Sequence, residues 1–378
     1  MLGLFKREAP EVKASAAGPM VAFHGAGRAM WSGRDGATMT RVGFTSNPVG
    51  FRCVKLIAEA AAAVPMVLSD AERRYDVHPV LDLLARPNGG QGAGELFEAF
   101  YGQLLLSGNG YMEAVAGADV PMELHVVRSD RMRVVPGRDG WPVGYDYTVG
   151  AKKHRFAADA ICHVRGWHPT NDHYGLSPMQ AAATAVDVHN AASKWSKALL
   201  DNAARPSGAI VYRSAEGAGV LGADQYDRLK NELEGQHQGA ANAGRPMLLE
   251  GGLDWKPMGF SPSDMEFQKT KEAAAREIAL AFGVPPMLLG LPGDATYANY
   301  AEANRAFYRL TVLPLVSKVT GALSQWLPGM GGTRLKPDLD GVPALALERE
   351  AQWRRVAEAD FLSEDEKRAL LGLPPRAV

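Results

Sequence analysis

Apolar residues recur at helical spacing in the first part of the chain. Three helices are predicted there: residues 47–63, a short helix after His78-Pro79, and residues 95–106. Asn47 is a favoured N-cap and Pro48 suits the first helical position, so the first helix should begin at Pro48. Between Tyr111 and Val164 the apolar period changes to two, which predicts strands at residues 111–115, 123–127, 131–135 and 143–147. Helices followed by a strand-rich stretch are typical of an α+β fold.

Three long helices are predicted further along the chain, at residues 177–204, 263–282 and about 298–326. Ser177 caps the first of them, and Pro178 takes its first helical position. A capping box, Ser263-x-x-Glu266, opens the second helix, and Gly283 closes it. Pro314 lies inside the third helix and removes one backbone hydrogen bond, so we expect a kink there.

A smaller module separates the first two long helices. Residues 210–212 predict a strand, residues 224–238 a polar helix, and residues 246–258 a hairpin that turns at Gly251-Gly252. Because a long helix flanks the module on each side, we expect the module at the far end of a helical stalk. A loop rich in Gly and Pro, from Leu291 to Tyr297, then leads into the third long helix.

The two ends of the chain differ from each other. Residues 1–46 are rich in Gly, Ala and Ser and show no sustained period, which predicts a flexible arm. The C-terminal end predicts an amphipathic helix over residues 348–359. A short last helix follows, capped by Ser363-x-x-Glu366 and ended by Gly372 and Pro374.

The amino-acid composition limits the classes of protein to which this chain can belong. The 378 residues are 46% hydrophobic and 22% charged, with 41 basic against 42 acidic side chains. A protein that holds DNA statically usually carries a basic field, so this balance argues against such a protein but not against a surface past which DNA slides. No apolar run reaches the roughly 18 residues of a membrane span, and the start is too short for a signal peptide. We therefore expect a reducing, aqueous compartment, with Cys53 and Cys162 as buried free thiols.

Catalytic signatures are absent from the sequence. It has no nucleotide-binding P-loop, no G-x-S-x-G nucleophile elbow and no H-E-x-x-H metal motif. Gly25-Ala26-Gly27 lacks the third glycine of a dinucleotide fingerprint. The sequence thus predicts no catalytic residue, no cofactor and no enzymatic activity.

One stretch, Cys162 to His173, has three histidines and a thiol and could suggest a zinc site. Cys162 and His163 are adjacent, however, so on a strand they point to opposite faces. We therefore favour a loop whose histidines make hydrogen bonds or interface contacts, with a metal-dependent enzyme as the alternative. Lys269, Lys271 and Arg276 on the second long helix are candidates for touching phosphates, although acidic residues on that helix favour an ordinary solvated face.

Several segments, taken together and in order, carry a family resemblance. They are Asn47 through Ala58, His78-Pro79 with Leu83-Leu84 and Pro87-Asn88, Leu105 through Tyr111, Tyr174 through Pro178, Pro206-Ser207-Gly208, Phe282 through Pro286 with Leu288-Leu289-Gly290, Tyr297-Ala298-Asn299, and Phe361 through Pro375. With these segments the chain resembles the portal proteins of long-tailed double-stranded-DNA phages, a family that also includes portals of phage-like gene transfer particles.

The resemblance implies a phage portal fold made of a mixed α/β wing, a two-helix stem, a small α/β clip, a long kinked tunnel helix and a short helical crown. Residues 1–46 would be the arm, 47–176 the wing, 177–204 with 263–282 the stem, and 205–262 the clip. Residues 283–347 would hold the tunnel loop, the kinked helix and the return to the wing, and residues 348–378 the crown.

The resemblance also implies sites, all without catalysis or bound metal. The tunnel loop would line the channel with Leu291, Gly293, Asp294, Thr296 and Tyr297. The stem would face the channel with Lys269, Lys271 and Arg276. The clip would bind partners with Tyr226, Arg228, Lys230 and Gln236.

The resemblance further implies that the chain forms a ring, expected to be dodecameric, at one capsid vertex. The ring would belong to a virion or phage-like particle that is assembled in the bacterial cytoplasm. Its partners would be further copies of itself, the major capsid protein, the large terminase during packaging, the head–tail adaptor protein afterwards, and double-stranded DNA in the channel, with no membrane. Another ring-forming head–tail connector is the alternative.

Overall fold

The computed structural model describes residues 31–33, 35–115, 121–201, 208–212, 222, 224, 226–228, 231, 253–257, 267–292, 297–373 and 375. The chain divides into two compact units. One unit contains Trp31–Ser193 and Phe267–Val378, and the other contains Lys194–Glu266 together with the first thirty residues.

Helices account for most of the described residues. The α-helices are α1 (Gly36–Met39), α2 (Pro48–Ala62), α3 (Pro79–Ala85), α4 (Ala93–Ser107), α5 (Pro178–Ala181), α6 (Ala183–Asp201), α7 (Phe267–Phe282), α8 (Tyr297–Phe307), α9 (Leu313–Trp326), α10 (Ala346–Ala357) and α11 (Glu364–Leu370). Two π-helical segments, Thr40–Thr45 and Tyr308–Val312, adjoin α-helices and change the hydrogen-bond spacing locally from four residues to five.

The strands are short and antiparallel. They are β1 (Met66–Ser69), β2 (Arg74–Tyr75), β3 (Asn109–Val115), β4 (Glu123–Val127), β5 (Met132–Pro136), β6 (Pro142–Val149), β7 (Lys152–Ala157), β8 (Ile161–Arg165), β9 (Gly208–Tyr212), β10 (Leu253–Pro257) and β11 (Arg334–Pro337). The four strands predicted between Tyr111 and Val164 are confirmed, since β3 to β6 match them closely. Together with the helices they confirm the α+β class.

Ordered structure begins before Asn47, so the prediction of a flexible arm over residues 1–46 is wrong for residues 35–46. The Asp35 side chain accepts a hydrogen bond from the Thr38 amide at 2.9 Å and caps α1. Met39 is fully buried in the main core. Gly43 is the one buried residue of the π-helical turn at residues 40–45, so no row of apolar side chains marked this turn as helical in the sequence. Residues 1–30 and 34 lie outside the described part of the chain.

The predicted start of the first long helix is confirmed, because Asn47 caps α2 by accepting from the Gly50 amide at 2.9 Å. The buried Asn47 amide group also donates to Asn190 at 2.9 Å, which ties the start of α2 to α6. Behind this cap, α2 packs on α4. The two helices contribute Ile57, Phe97 and Phe100 to the main core, which is the larger of the two clusters of buried apolar residues. Burial of this apolar surface is the main stabilising term of the unit.

This unit contains three three-stranded sheets, in the orders β11-β1-β2, β4-β3-β8 and β5-β6-β7. The first was not predicted: β1 pairs with β11, so that Met66 lies opposite Pro337 across more than 260 residues of chain. The other two enclose a second, smaller core that contains Tyr111, Val134, Tyr145 and Ile161.

Two of the predicted long helices are interrupted. The helix predicted over residues 177–204 divides at Ala182 into α5 and α6, and residues 202–204 lie outside the described part. In the third long helix, a π-helical segment ends at Val312, two residues before Pro314, and α9 follows it, whereas the kink predicted at Pro314 stays a prediction. A proline ring crowds the carbonyl four residues earlier, and a wider turn there relieves that contact.

In the second unit, β9 pairs with β10, with Ile210 opposite Trp255. The strand predicted at residues 210–212 is therefore confirmed, and residues 224, 226–228 and 231 are helical as the predicted helix requires. The Gly251-Gly252 turn, Ser263 and Glu266 lie outside the described residues.

The C-terminal elements follow the predicted signals. The Ser363 amide donates to the Glu366 carboxylate at 2.8 Å, and the Ser363 hydroxyl accepts from the Glu366 amide, which confirms the capping box of α11. Gly372 adopts φ 77° after the helix ends. Arg349 on α10 donates to Asp340 at 2.5 and 2.9 Å, so α10 is tied to the loop before it. Across the described residues, no helix combines the length and the apolar character that a membrane crossing requires.

Candidate functional site

The segment between α7 and α8 contains the predicted tunnel loop. As predicted, α7 ends at Gly283, which adopts φ 66°, and the Thr311 hydroxyl donates to the Gly283 carbonyl at 2.6 Å. A short 3₁₀ turn follows at Pro286–Leu289, and Gly290 reverses the chain with φ 70°. The predicted loop therefore starts close to the point where this hydrogen bond joins the end of α7 to the π-helical segment.

Arg276 connects α7 to this loop, because its guanidinium donates to the carbonyl of Pro292. Leu291 is half-buried, and its amide donates to the Pro286 carbonyl at 3.2 Å. Tyr297 is the first residue of α8, and Gly293, Asp294 and Thr296 lie outside the described residues. Contacts within the chain therefore hold the N-terminal side of the predicted loop, and α8 begins at its other end.

The three basic residues predicted to face the channel do not share one face of α7. Lys269 and Arg276 are both exposed and are seven residues apart, which puts them on the same side of the helix. Lys271 is half-buried, and together with burial its positive charge lowers the pKa of His189 on α6. Lys271 therefore lies toward α6, and only Lys269 and Arg276 are left to form one face.

Two of the four predicted clip residues are described. Tyr226 is 55% exposed, and Arg228 is also exposed, as a partner-binding surface requires. Lys230 and Gln236 lie outside the described residues.

The stretch from Cys162 to His173 forms contacts within the fold. Cys162 points into the main core, where burial raises the pKa of its thiol to about 12. His163 points to the opposite face, as predicted, and stacks on Tyr111 with 4.2 Å between ring centroids. Burial lowers the pKa of His163 to about 3. Within the described ranges, no three His, Cys, Asp or Glu side chains converge as a metal site would need.

An apolar groove beside the tunnel loop was not predicted from the sequence. It lies between the end of α7 and the end of α8, has a volume of about 410 Å³, and has Leu280, Phe307 and Leu310 among its lining residues. Leu280 and Leu310 are 79% and 76% exposed. The sequence offered one signal for this groove: an apolar residue close to charged ones, Leu280 in α7 and Leu310 in the π-helical segment. Single apolar residues of this kind are common on protein surfaces.

Comparisons with known proteins agree with this architecture. The family model described as "Phage portal protein" matches residues 48–372. The portal protein of Enterobacteria phage HK97 is 26% identical over 340 residues, which cover 86% of this chain and 78% of that protein. The chain belongs to the phage portal protein family.

Solved structures from gene transfer agent (GTA) particles are also similar to this chain. A chain in the neck of an empty GTA particle, computed with C6 symmetry, is 71% identical, with a TM-score of 0.71 over 93% of this chain and 97% of that one. A chain in the neck of a native GTA particle, computed with C12 symmetry, is 68% identical, with a TM-score of 0.69 over the same shares of the two chains. The phage portal fold expected from the sequence is thereby confirmed.

Proposed function

We propose that this chain is the portal subunit of a phage-like gene transfer particle and forms a twelve-membered ring at one capsid vertex. The observation that carries the proposal is the 68% identity, over 93% of this chain, to the chain in the native neck computed with C12 symmetry. Family membership supports the same role, because the family model matches nearly the whole described chain.

We infer that the stem consists of residues 177–204 and 263–282. Small buried side chains support this: α7 contributes Ala274, Ala275 and Ala279, and the α5–α6 segment contributes Ala182 and Ala185. Such residues let helix backbones approach closely, and α5 does pack against α7. The separation of residues 194–266 as a compact unit supports a clip within that range.

The ring would act as a passive channel. During packaging the clip would bind the large terminase, and afterwards it would bind the head–tail adaptor, while the wing would contact the major capsid protein. The near-zero net charge of the chain supports a channel that does not hold DNA, because each phosphate contact would add to the affinity and act as a brake. The work of packaging would come from a separate ATPase, and the chain itself would be non-catalytic.

Replacing Asp294, Thr296 and Tyr297 with alanine tests the tunnel-loop assignment. These variants should form rings as well as the unsubstituted protein does, yet their particles should package or retain less DNA. A matched control replaces Arg138, Asp139 and Trp141, in an exposed turn between β5 and β6, with alanine. Ring formation is scored by electron microscopy and DNA content by nuclease protection. Loss of rings in the loop variants, or normal DNA content, would contradict the assignment.

A further inference from the structure

The groove beside the tunnel loop is an exposed apolar surface with a defined shape. Leu280 and Leu310 form its exposed walls, and the buried Phe307 and Val284 contribute to its lining. Its volume of about 410 Å³ lies within the range of roughly 300–1,000 Å³ that is usual for binding pockets. Apolar side chains that are exposed together in a concave surface mark interaction sites.

The groove is preformed. The Thr311 hydroxyl holds the π-helical segment against the end of α7 through its hydrogen bond to the Gly283 carbonyl. The two elements touch so closely here that a Cβ atom on residue 283 would lie 2.8 Å from the Thr311 hydroxyl oxygen. A partner that enters a rigid groove spends little free energy on ordering it.

Two arginines lie at the groove or next to it in the chain. Arg276 lines it and is exposed, and Arg309, next to Leu310 in the chain, has a side chain that is 58% exposed. Arg309 reaches Glu348 on α10 at 3.4 Å, so α10 lies near this surface. An occupant that combines an apolar anchor with acidic neighbours would fit both features.

One exposed segment of the same chain has this chemistry. Phe361, in the loop between α10 and α11, is 88% exposed. Residues 358–366 carry five acidic side chains and no basic one: Glu358, Asp360, Glu364, Asp365 and Glu366. Trp167, another exposed aromatic residue at 80%, lies close to Arg165 and has no such acidic run. Charge therefore favours Phe361 as the anchor.

A ring supplies the geometry that joins the two surfaces. In a ring of more than two subunits each interface pairs two different patches of the same chain, so a groove on one subunit can accept a protrusion of the next. The exposure of Phe361 shows that it does not occupy its own groove. We propose that Phe361 of one subunit inserts into the Leu280–Leu310 groove of the next, with the acidic segment against Arg276 and Arg309. This inference rests on the ring proposed above.

Disulfide cross-linking tests the contact. The double variant Leu310→Cys with Phe361→Cys is oxidised mildly, and its products are separated on a denaturing gel with and without reductant. The native Cys53 and Cys162 are buried and do not compete. The control pairs Leu310→Cys with Trp141→Cys, because Trp141 is 71% exposed and belongs to the β5–β6 turn. We expect a ladder from dimer up to the complete ring in the test pair, and monomers in the control.

Rings seen by electron microscopy without a ladder in the test pair would overturn the contact and leave the portal role intact. A ladder of equal strength in the control, or one obtained instead by pairing Leu310→Cys with Thr296→Cys, would also overturn it. Absence of rings in the unsubstituted protein would overturn the proposed function and this inference together. The single variant Phe361→Ala supplies a second measurement: it should weaken ring assembly at least tenfold while the melting temperature of the subunit stays unchanged.

Discussion

One carboxamide connects the strand-rich region to the segment that precedes α5. The Asn109 side-chain oxygen accepts from the Gly175 amide at 2.9 Å and lies 3.1 Å from the Nε2 atom of His163. Gly175 also passes so close to Gly108 that a Cβ atom there would lie 2.1 Å from the Gly108 carbonyl oxygen. Both Gly108-Asn109-Gly110 and Tyr174-Gly175-Leu176 were visible in the sequence as separate motifs. That they contact each other is a tertiary fact that no local pattern contains.

The buried His163 should make stability fall in mild acid. Its pKa is about 3 in the fold, against an ordinary value near 6.5, so the folded state disfavours the protonated ring. The stabilisation is present above about pH 6.5 and is lost as the pH falls toward 3, at about 1.4 kcal/mol per pH unit. Between pH 6.5 and 5, His163 alone should therefore lower the free energy of unfolding by about 2 kcal/mol.

The variant His163→Gln should remove this part of the pH dependence, as measured by denaturant unfolding at several pH values. His154→Gln is the control, because His154 is exposed on β7. The same slope against pH in His163→Gln and in the unsubstituted protein would show that His163 does not contribute as described.

At the scale of elements, two capping boxes in different settings allow a comparison. Ser177 caps α5 and is 1% exposed, with its hydroxyl 2.9 Å from the Gln180 amide. Ser363 caps α11 with the same arrangement but is exposed. We expect Ser177→Ala to lower the free energy of unfolding by about 1–2 kcal/mol, because it removes the hydrogen bond that the buried Ser177 hydroxyl accepts at the start of α5.

Ser363→Ala should change global stability by less than about 0.5 kcal/mol, since α11 can fray while the core stays folded. Thermal unfolding compares the two variants, and hydrogen exchange shows whether the loss in Ser363→Ala is confined to α11. Equal losses of global stability would contradict this distinction between the two caps.

Elements with local signals were predictable, and those fixed by distant contacts were not. Caps at Asn47, Ser177 and Ser363 located three helix starts correctly, because the signal lies within four residues. The π-helical turn at residues 40–45 was missed because it is stabilised by packing, with Gly43 close against Met179. Strand β1 was missed because its partner β11 lies near the other end of the chain.

At the scale of the whole molecule, the sequence predicted the family, which is confirmed, whereas the tunnel-loop assignment stays a prediction. It could not separate Lys271 from Lys269 and Arg276, because that depends on how α7 lies against α5 and on the approach of Lys271 to His189 of α6. The groove was also invisible, since it forms only where the ends of α7 and α8 meet. Family resemblance therefore predicted that the chain assembles into a ring. The surfaces proposed to form the contacts between subunits could be found only from the structure.

Electron microscopy of particle necks that contain this chain, reconstructed without imposed symmetry, would test the proposed ring. We expect a closed ring of twelve copies around an open channel at one vertex, with residues 177–204 and 263–282 side by side in every subunit. A chain that occupies other positions in the particle, or a ring in which those two segments do not lie alongside each other, would contradict it.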